Sequence, residues 1–262
     1  MSALHSARPT RLWYQSYVDD ALARPYLAGL REHLDHVKDR DTTISVHELT
    51  PPDSFAHPLV EFRCAQTAIK NAIRAEREGY DAVLLGHMQD SGLWEARAAV
   101  EIPVLGLGEV SMLHACMLSV KVGIVTINPR FVPGFHQQIQ KYGLERRIPV
   151  VRAVDHQAGD FMRAFESSEA QRTVIDQFCA QALRVVEEGV DLLIPGGGIP
   201  MLLLAKAGVF EVAGAPVLNG LPILIKMAEM QVFMRRRFGL TTSRLGEFKL
   251  PPPDVVQQFL DA

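Results

Sequence analysis

GYDAVLLGHMQDSGLWEARAAVEIPVLGLGE, running from Gly79 to Glu109, reads as strand, loop, short helix, strand. Asp81 to Leu85 is a short apolar run, long enough for a buried strand and too short for a helix. The loop Gly86-His87-Met88-Gln89-Asp90-Ser91-Gly92 follows at its carboxyl end. In an open parallel sheet that is where ligands sit. A titratable His87 at that place is the first candidate for chemistry in the chain.

The stretch has an echo. Glu78-Gly79-Tyr80-Asp81 ahead of Ala82 to His87 is matched by Glu188-Gly189-Val190-Asp191 ahead of Leu192 to Gly197. Ile102-Pro103-Val104-Leu105-Gly106 is matched by Ala215-Pro216-Val217-Leu218-Asn219-Gly220. A shared grammar at nearly the same offset predicts two similar lobes with a site between them. Asp81 to Gly86 and Asp191 to Gly196 are then equivalent central strands.

Composition sets the outer limits. At 262 residues, 48% hydrophobic and 22% charged, the chain is ordinary globular material with ample length for a core. A net charge of -3 and a pI near 6.3 favour neither nucleic acid nor an anionic membrane surface. No apolar run approaches the ~20 residues of a spanning helix, and Met1 to Pro9 lacks the apolar centre of a signal peptide. The three cysteines, Cys64, Cys116 and Cys179, form no close pair, which suits a reducing compartment. A cytoplasmic protein is the expectation.

Strands are expected at Leu12 to Tyr17, Ile44 to Leu49, Val122 to Ile127, Ile148 to Val154 and Pro216 to Leu218, besides the two central ones. Helices are expected from Asp19 or Asp20 to Val37, with Pro25 in the first turn, and at Glu61 to Glu78, Ser111 to Leu118, Phe131 to Tyr142, Ser168 to Glu188 and Leu221 to Phe238. The alternation implies parallel sheets with helices on both faces, an α/β fold. It divides into a first lobe over residues 10–120, a second over 121–220, and a C-terminal segment, 221–262, whose helix packs back on the first lobe ahead of a Pro-rich tail.

With these motifs in hand, the chain resembles the aspartate/glutamate/hydantoin racemase superfamily. The resemblance rests on Gly79 to Val83, Asp90-Ser91-Gly92-Leu93, Ile102 to Gly106 with Glu109, Val122 to Thr126, and Pro216 to Gly220 ahead of a helix. It implies a cofactor-independent enzyme with two pseudo-symmetric lobes and a catalytic cysteine at the end of each central strand. One thiolate takes a proton from carbon and the other thiol returns one on the opposite face. This chain departs at both thiols: His87 stands at the first position and Gly197 at the second. The resemblance therefore carries the fold further than the reaction.

His87, with an ordinary pKa of about 6.5, is the expected acid/base, acting from one side. Glu109 is expected to orient it or to accept a substrate N–H. Gly196-Gly197-Gly198 either lets backbone N–H groups approach a carboxylate or enolate oxygen, or is a tight turn needing positive φ. Ser91 and Gly92 either donate to a carboxylate from a helix N-terminus or are only part of its cap, with Asp90 or Ser91 as the cap residue. Thr126 and Asn128 end the strand that opens the second lobe, and Asn219 follows its last strand. Gln15 and Tyr17 hold the matching place in the first lobe, with Tyr17 either a phenolic donor or packing. His47 is a candidate supporting group. Nine histidines without HxH, HExxH or CxxC spacing give no metal site.

The expected protein is an isomerase acting on a small carboxylate or cyclic amide, homo-oligomeric, with no cofactor and no nucleic-acid or membrane partner. Decarboxylation or hydrolytic ring opening by His87 is the alternative reaction. A ligand-binding protein that has lost catalysis is the alternative from another class.

Overall fold

The computed structural model describes residues 8–53, 57–154 and 158–262. Residues 1–7 lie outside the described residues. In the first lobe the order is β1 (Thr10–Gln15), α1 (Asp20–Val37), β2 (Thr42–His47), α2 (Pro58–Arg77), β3 (Ala82–Leu85), α3 (Leu93–Ala99), β4 (Val104–Gly106) and α4 (Leu107–Leu118). The second begins with β5 (Val122–Thr126), a 3-10 turn (Pro129–Phe131), α5 (Val132–Lys141), β6 (Val150–Ala153), α6 (Ala158–Arg163), α7 (Ser168–Glu187), β7 (Leu192–Gly196) and α8 (Gly198–Lys206). A hairpin of β8 (Glu211–Val212) and β9 (Ala215–Pro216) leads to α9 (Gly220–Phe238) and α10 (Pro253–Asp261).

The strand order is β2-β1-β3-β4 in the first sheet and β6-β5-β7 in the second. All pairs within these two sheets are parallel. The first strand of each lobe thus lies between the second and third, and the topology repeats. β1 registers Gln15 beside Leu85, while β5 registers Thr126 beside Gly196. Both third strands therefore end level with the strand that precedes them, and their loops open at the same rim.

The repeat is incomplete at one edge. Pro216 to Leu218 is expected as a last strand equivalent to β4. Instead β8 and β9 form an antiparallel hairpin, and only Val217 bridges Leu193 of β7 in parallel. Pro216 has no N–H to give to a ladder, and Ala213-Gly214 turns tightly at positive φ just before it. Helix α6 is an element that hydrophobic spacing did not disclose.

Local chemistry explains the rest. Asp19 caps α1 by accepting from the Leu22 N–H. The helix kinks at Ala23, so Pro25 falls in the first turn of its straight continuation. α2 and α7 end at Gly79 and Gly189, both at positive φ, which explains the repeated Glu-Gly ahead of each central strand.

The largest apolar cluster joins the lobes. It combines Leu12, Tyr14, Leu84 and Leu105 of the first sheet with Ile124, Leu192 and Ile194 of the second, through side chains of α1, α4 and α9. Helix α9 contacts α4 and crosses β1, β3 and β4. Val256, Phe259 and Leu260 of α10 pack on the separate core beneath α2, so the tail is docked on the first lobe. No helix among the described residues is long and apolar enough to cross a membrane.

Gly86 shows how closely the rim is built. A Cβ there would meet the Tyr14 hydroxyl at 2.3 Å and its ring at 2.4 Å, and Tyr14 is fully buried. Gly86→Ala is therefore expected to destabilise the protein by ~1–3 kcal/mol, the usual size of an overpacking defect. Chemical denaturation measures it; an unchanged midpoint would show that the Tyr14 ring has room to move.

Candidate active site

A cavity of about 120 Å³ lies between the carboxyl ends of the two sheets. Its wall comes from the loops after five strands: Ser16 to Val18, Asp53, Gly86 to Gln89, Ile127 to Phe131 without Pro129, and Gly196 to Pro200, with Tyr26 from α1. The sheet rule that nominated His87 thus holds for both lobes at once.

His87 has three neighbours. Its Nε2 lies 3.0 Å from Asp53 Oδ2, and its Nδ1 lies 3.7 Å from Glu61 Oε2. Its ring stacks on Tyr17 with centroids 4.4 Å apart and planes 15° apart. Tyr17 in turn donates its hydroxyl to the Ser91 carbonyl at 2.7 Å, and Ser91 Oγ donates to Glu61. The imidazole is thus clamped between two carboxylates on a packed platform, with only 13% of its side chain exposed.

The clamp changes the chemistry expected of this ring. Burial alone disfavours the charged form. The Glu61 charge, the Asp53 hydrogen bond and charge, and the Asp90 charge outweigh it and raise the pKa to about 9. At neutral pH the ring is an imidazolium. Its ordinary pKa allows either form near neutrality.

Asp53, Glu61 and His87 also offer ligand atoms within 4.8 Å of one another. Asp53 Oδ1, Glu61 Oε1 and His87 Nδ1 are buried without a hydrogen-bond partner. These are the described residues that sequence spacing passed over when it gave no metal site. The two carboxylates approach different nitrogens of one ring. That geometry suits an ion-paired imidazolium better than one cation, which needs a single ring nitrogen and both carboxylates converging on one point.

The other expected site residues divide. Tyr17, Asn128, Gly196, Gly197 and Gly198 line the cavity with His87. Asn128 also caps the 3-10 turn by accepting from the Arg130 N–H at 2.9 Å. Gly197 is extended, at φ 164 and ψ 153, so the turn does not demand a glycine through its backbone angles. Helix α8 starts at Gly198, and N–H groups of a first turn have no partner within their helix. A Cβ on Gly198 would sit 3.0 Å from the Tyr26 hydroxyl, so absence of a side chain lets α8 approach the first lobe.

Six expectations move away from the cavity. Glu109 is held by Arg97 through two bonds of 3.0 and 2.6 Å and does not orient His87; Asp53 and Glu61 do. Gln15 is fully buried, its amide taken up by Trp13, Asn71 and backbone carbonyls. Ser91 supports Glu61, and Gly92 is the left-handed N-cap of α3 packed on Ala65. Thr126 donates to the Gly196 carbonyl, and Asn219 caps α9. Each is a supporting part whose polar atoms are already engaged. His47 stacks on Trp13 at 3.3 Å, on the sheet.

Asp53, Glu61 and Arg130 are the residues that sequence reasoning missed. Asp53 follows β2 at its carboxyl end, the same signal that selected His87. Arg130 follows β5 in the same way and brings a cation to the wall. Asp90, expected only as a possible cap, anchors the His87 loop. It is buried and accepts from the Gly108 and Glu109 N–H groups, from Gln138 Nε2 and from the Tyr142 hydroxyl, tying the loop to α4 and to α5 of the other lobe. Burial raises its pKa to about 7, although the Tyr142 and backbone hydrogen bonds work the other way.

None of the three cysteines lines the cavity. Burial pushes the Cys64 thiol up to about 12 and raises those of Cys116 and Cys179, so none is a ready thiolate.

Residues 25–228 match the Asp/Glu/Hydantoin racemase family. The chain belongs to that family. A hydantoin racemase of Pseudomonas sp. (strain NS671) is 28% identical over 215 residues, 79% of each chain. Among solved structures, an allantoin racemase from Klebsiella pneumoniae has a TM-score of 0.79 at 22% identity, covering 93% of this chain and 94% of that one. An allantoin racemase from Pseudomonas fluorescens has a TM-score of 0.75 at 22% identity, covering 93% and 98%. The family membership makes this a racemase-type enzyme, and the two structural likenesses show the two-lobed fold.

The clamp has a thermodynamic signature. His87's folded pKa, about 9, lies above the ordinary 6.5, so its stabilisation is complete below pH 6.5 and is lost as pH rises through 9. The shift corresponds to something on the order of 3 kcal/mol. The stability difference between the wild type and His87→Gln is expected to be largest near pH 6 and to shrink steadily towards pH 10. Urea denaturation across that range measures it. A difference that is independent of pH would mean that the carboxylates do not hold the ring protonated.

Proposed function

We propose that this enzyme is a cofactor-independent isomerase that transfers a proton at the carbon beside a carbonyl of a small cyclic amide or carboxylate, with His87 supplying the proton from one face. The observation that carries the reading is the pairing of His87, at the tip of the β3 loop, with a side-chain-free glycine run across the cavity. Similarity to hydantoin and allantoin racemases favours five-membered cyclic ureides as the first substrates to try.

The wall supports that chemistry in parts. Removing a proton beside a carbonyl places charge on oxygen. The first turn of α8 and the Arg130 guanidinium bring donors and positive charge to the cavity where such an oxygen or a carboxylate can be held. Ile127, Phe131, Ile199 and Met88 give it an apolar floor. His87 holds the proton for the carbanion, with its two ring nitrogens facing Asp53 and Glu61. Gly197 offers no second acid or base opposite, so the two-thiol exchange across a planar carbanion is replaced by chemistry on one side.

The test is proton exchange at carbon, followed by NMR in deuterium oxide, over hydantoins with different 5-substituents, allantoin and small 2-substituted carboxylates. Wild-type enzyme is expected to exchange the C–H of at least one of these. His87→Ala should lower that rate ~10²–10⁴-fold, the usual contribution of a general acid/base group. Replacing Cys64, Cys116 and Cys179 together by alanine should leave the rate within a few-fold of wild type in a folded protein. Full activity in His87→Ala, or loss of it in the cysteine-free variant, would contradict the reading.

A further inference from the structure

An acid alone completes only half of a proton transfer. Since His87 is already protonated, another group must accept the proton that leaves carbon. We infer that Asp53 is that base and forms a same-face dyad with His87, so that a proton taken from one face of the substrate returns to that face. The inference rests on the proposed proton-transfer reading.

Among the described residues, Asp53 is the only carboxylate that lines the cavity. Its side chain is 7% exposed. One oxygen, Oδ2, is bonded to His87 Nε2; the other, Oδ1, is buried with no hydrogen-bond partner. An unpartnered buried carboxylate oxygen is costly in a finished structure, and a proton taken up by that carboxylate lowers the cost. The residue is fixed in place as a catalytic group must be. Its N–H donates to the Tyr17 carbonyl at 2.7 Å, and Arg63 on α2 donates to the preceding Pro52 carbonyl at 3.0 Å.

Glu61 is the other carboxylate at the ring, but it lies outside the cavity wall and accepts from Ser91 Oγ. It is a positioning residue: its charge at Nδ1 keeps the ring protonated and turned towards Asp53. The groups facing the dyad are Glu61 and Cys64 from α2, Tyr17 from the loop after β1, and Asp90 from the loop after β3. Of these, the carboxylates favour the imidazolium, and the raised Cys64 thiol remains neutral.

The step balances without a further reactant. The Asp53 carboxylate takes the proton, the C–H electron pair becomes the carbon–carbon π bond of an enolate, and the carbonyl π pair moves onto oxygen. On return, the enolate closes to the carbonyl and the carbon takes a proton from the Asp53 carboxylic acid, or Asp53 passes its proton on while drawing one from His87. Exchange of the His87 proton with water brings solvent hydrogen into the dyad. Because both groups lie on one side, removal and return occur on the same face. The outcome is exchange with retention, or a shift of the proton to a neighbouring atom on that face. Inversion needs the enolate to turn over in the cavity, which makes it the slower event.

The decisive experiment starts with a single enantiomer of a substrate that the wild type exchanges, in deuterium oxide. Loss of the C–H signal and loss of optical rotation are followed together. Exchange is expected to run ahead of loss of rotation by tenfold or more. Asp53→Asn, which keeps shape and can still hydrogen-bond, should lower exchange at least 10²-fold. Asp53→Glu should recover part of it, and Glu61→Gln should lower exchange less than Asp53→Asn does while moving the alkaline limb of the pH profile to lower pH. Rotation lost as fast as exchange would overturn the inference, since it requires a base on the opposite face. Near-normal exchange in Asp53→Asn, with His87→Ala inactive, would overturn it and leave the proposed function standing. No wild-type exchange with any substrate would overturn both. Activity lost on dialysis against a chelator and restored by Zn²⁺ or Mn²⁺ would overturn it too, assigning the cluster to a cation.

Discussion

The ion triad of Asp53, His87 and Glu61 is the constraint to which the rest of the cavity is fitted. Three ionisable groups are held out of water within one small volume. Burial of two carboxylates is tolerable there only with a cation between them. Each partner is then delivered by a different element: Asp53 by the loop after β2, Glu61 by the first turn of α2, His87 by the loop after β3. The Tyr17 ring beneath the imidazole and the Ser91 hydroxyl on Glu61 fix their mutual geometry.

The same loop is held from behind by Asp90. Its four donors come from both lobes, so the position of His87 depends on the contact between them. The shared apolar cluster between the sheets serves the same end on a larger scale. The cavity is therefore a feature of the assembled pair of lobes. Neither lobe presents a complete wall, because the glycine run and Arg130 come from one and Asp53 and His87 from the other.

The fold was legible because its signals are local. A short apolar run after Glu-Gly, repeated with its partner segment, is enough to define β3, β7 and their loops. The fourth strand of the second sheet was misread because Pro216 breaks a ladder that the apolar spacing alone would support. The site was legible only at its strand ends. His87, Asn128 and the glycine run sit where the sheet rule puts them. Glu109, Gln15 and Asn219 satisfy the same rule but turn to Arg97, to buried backbone and to a helix cap, choices that depend on neighbours far away in sequence. Asp53 and Glu61 carry no motif at all. Their place at the ring arises from a contact with His87 that only the folded chain creates, and that contact raises the pKa of the ring.

The protonation state of His87 is thus the central claim, and ¹⁵N NMR of the imidazole reads it directly. In protein labelled at histidine, with the resonance assigned by its absence in a His87 variant, both ring nitrogens are expected at protonated shifts at pH 7. They should titrate only as pH approaches about 9. A neutral ring at pH 7, titrating near the ordinary 6.5, would contradict the account.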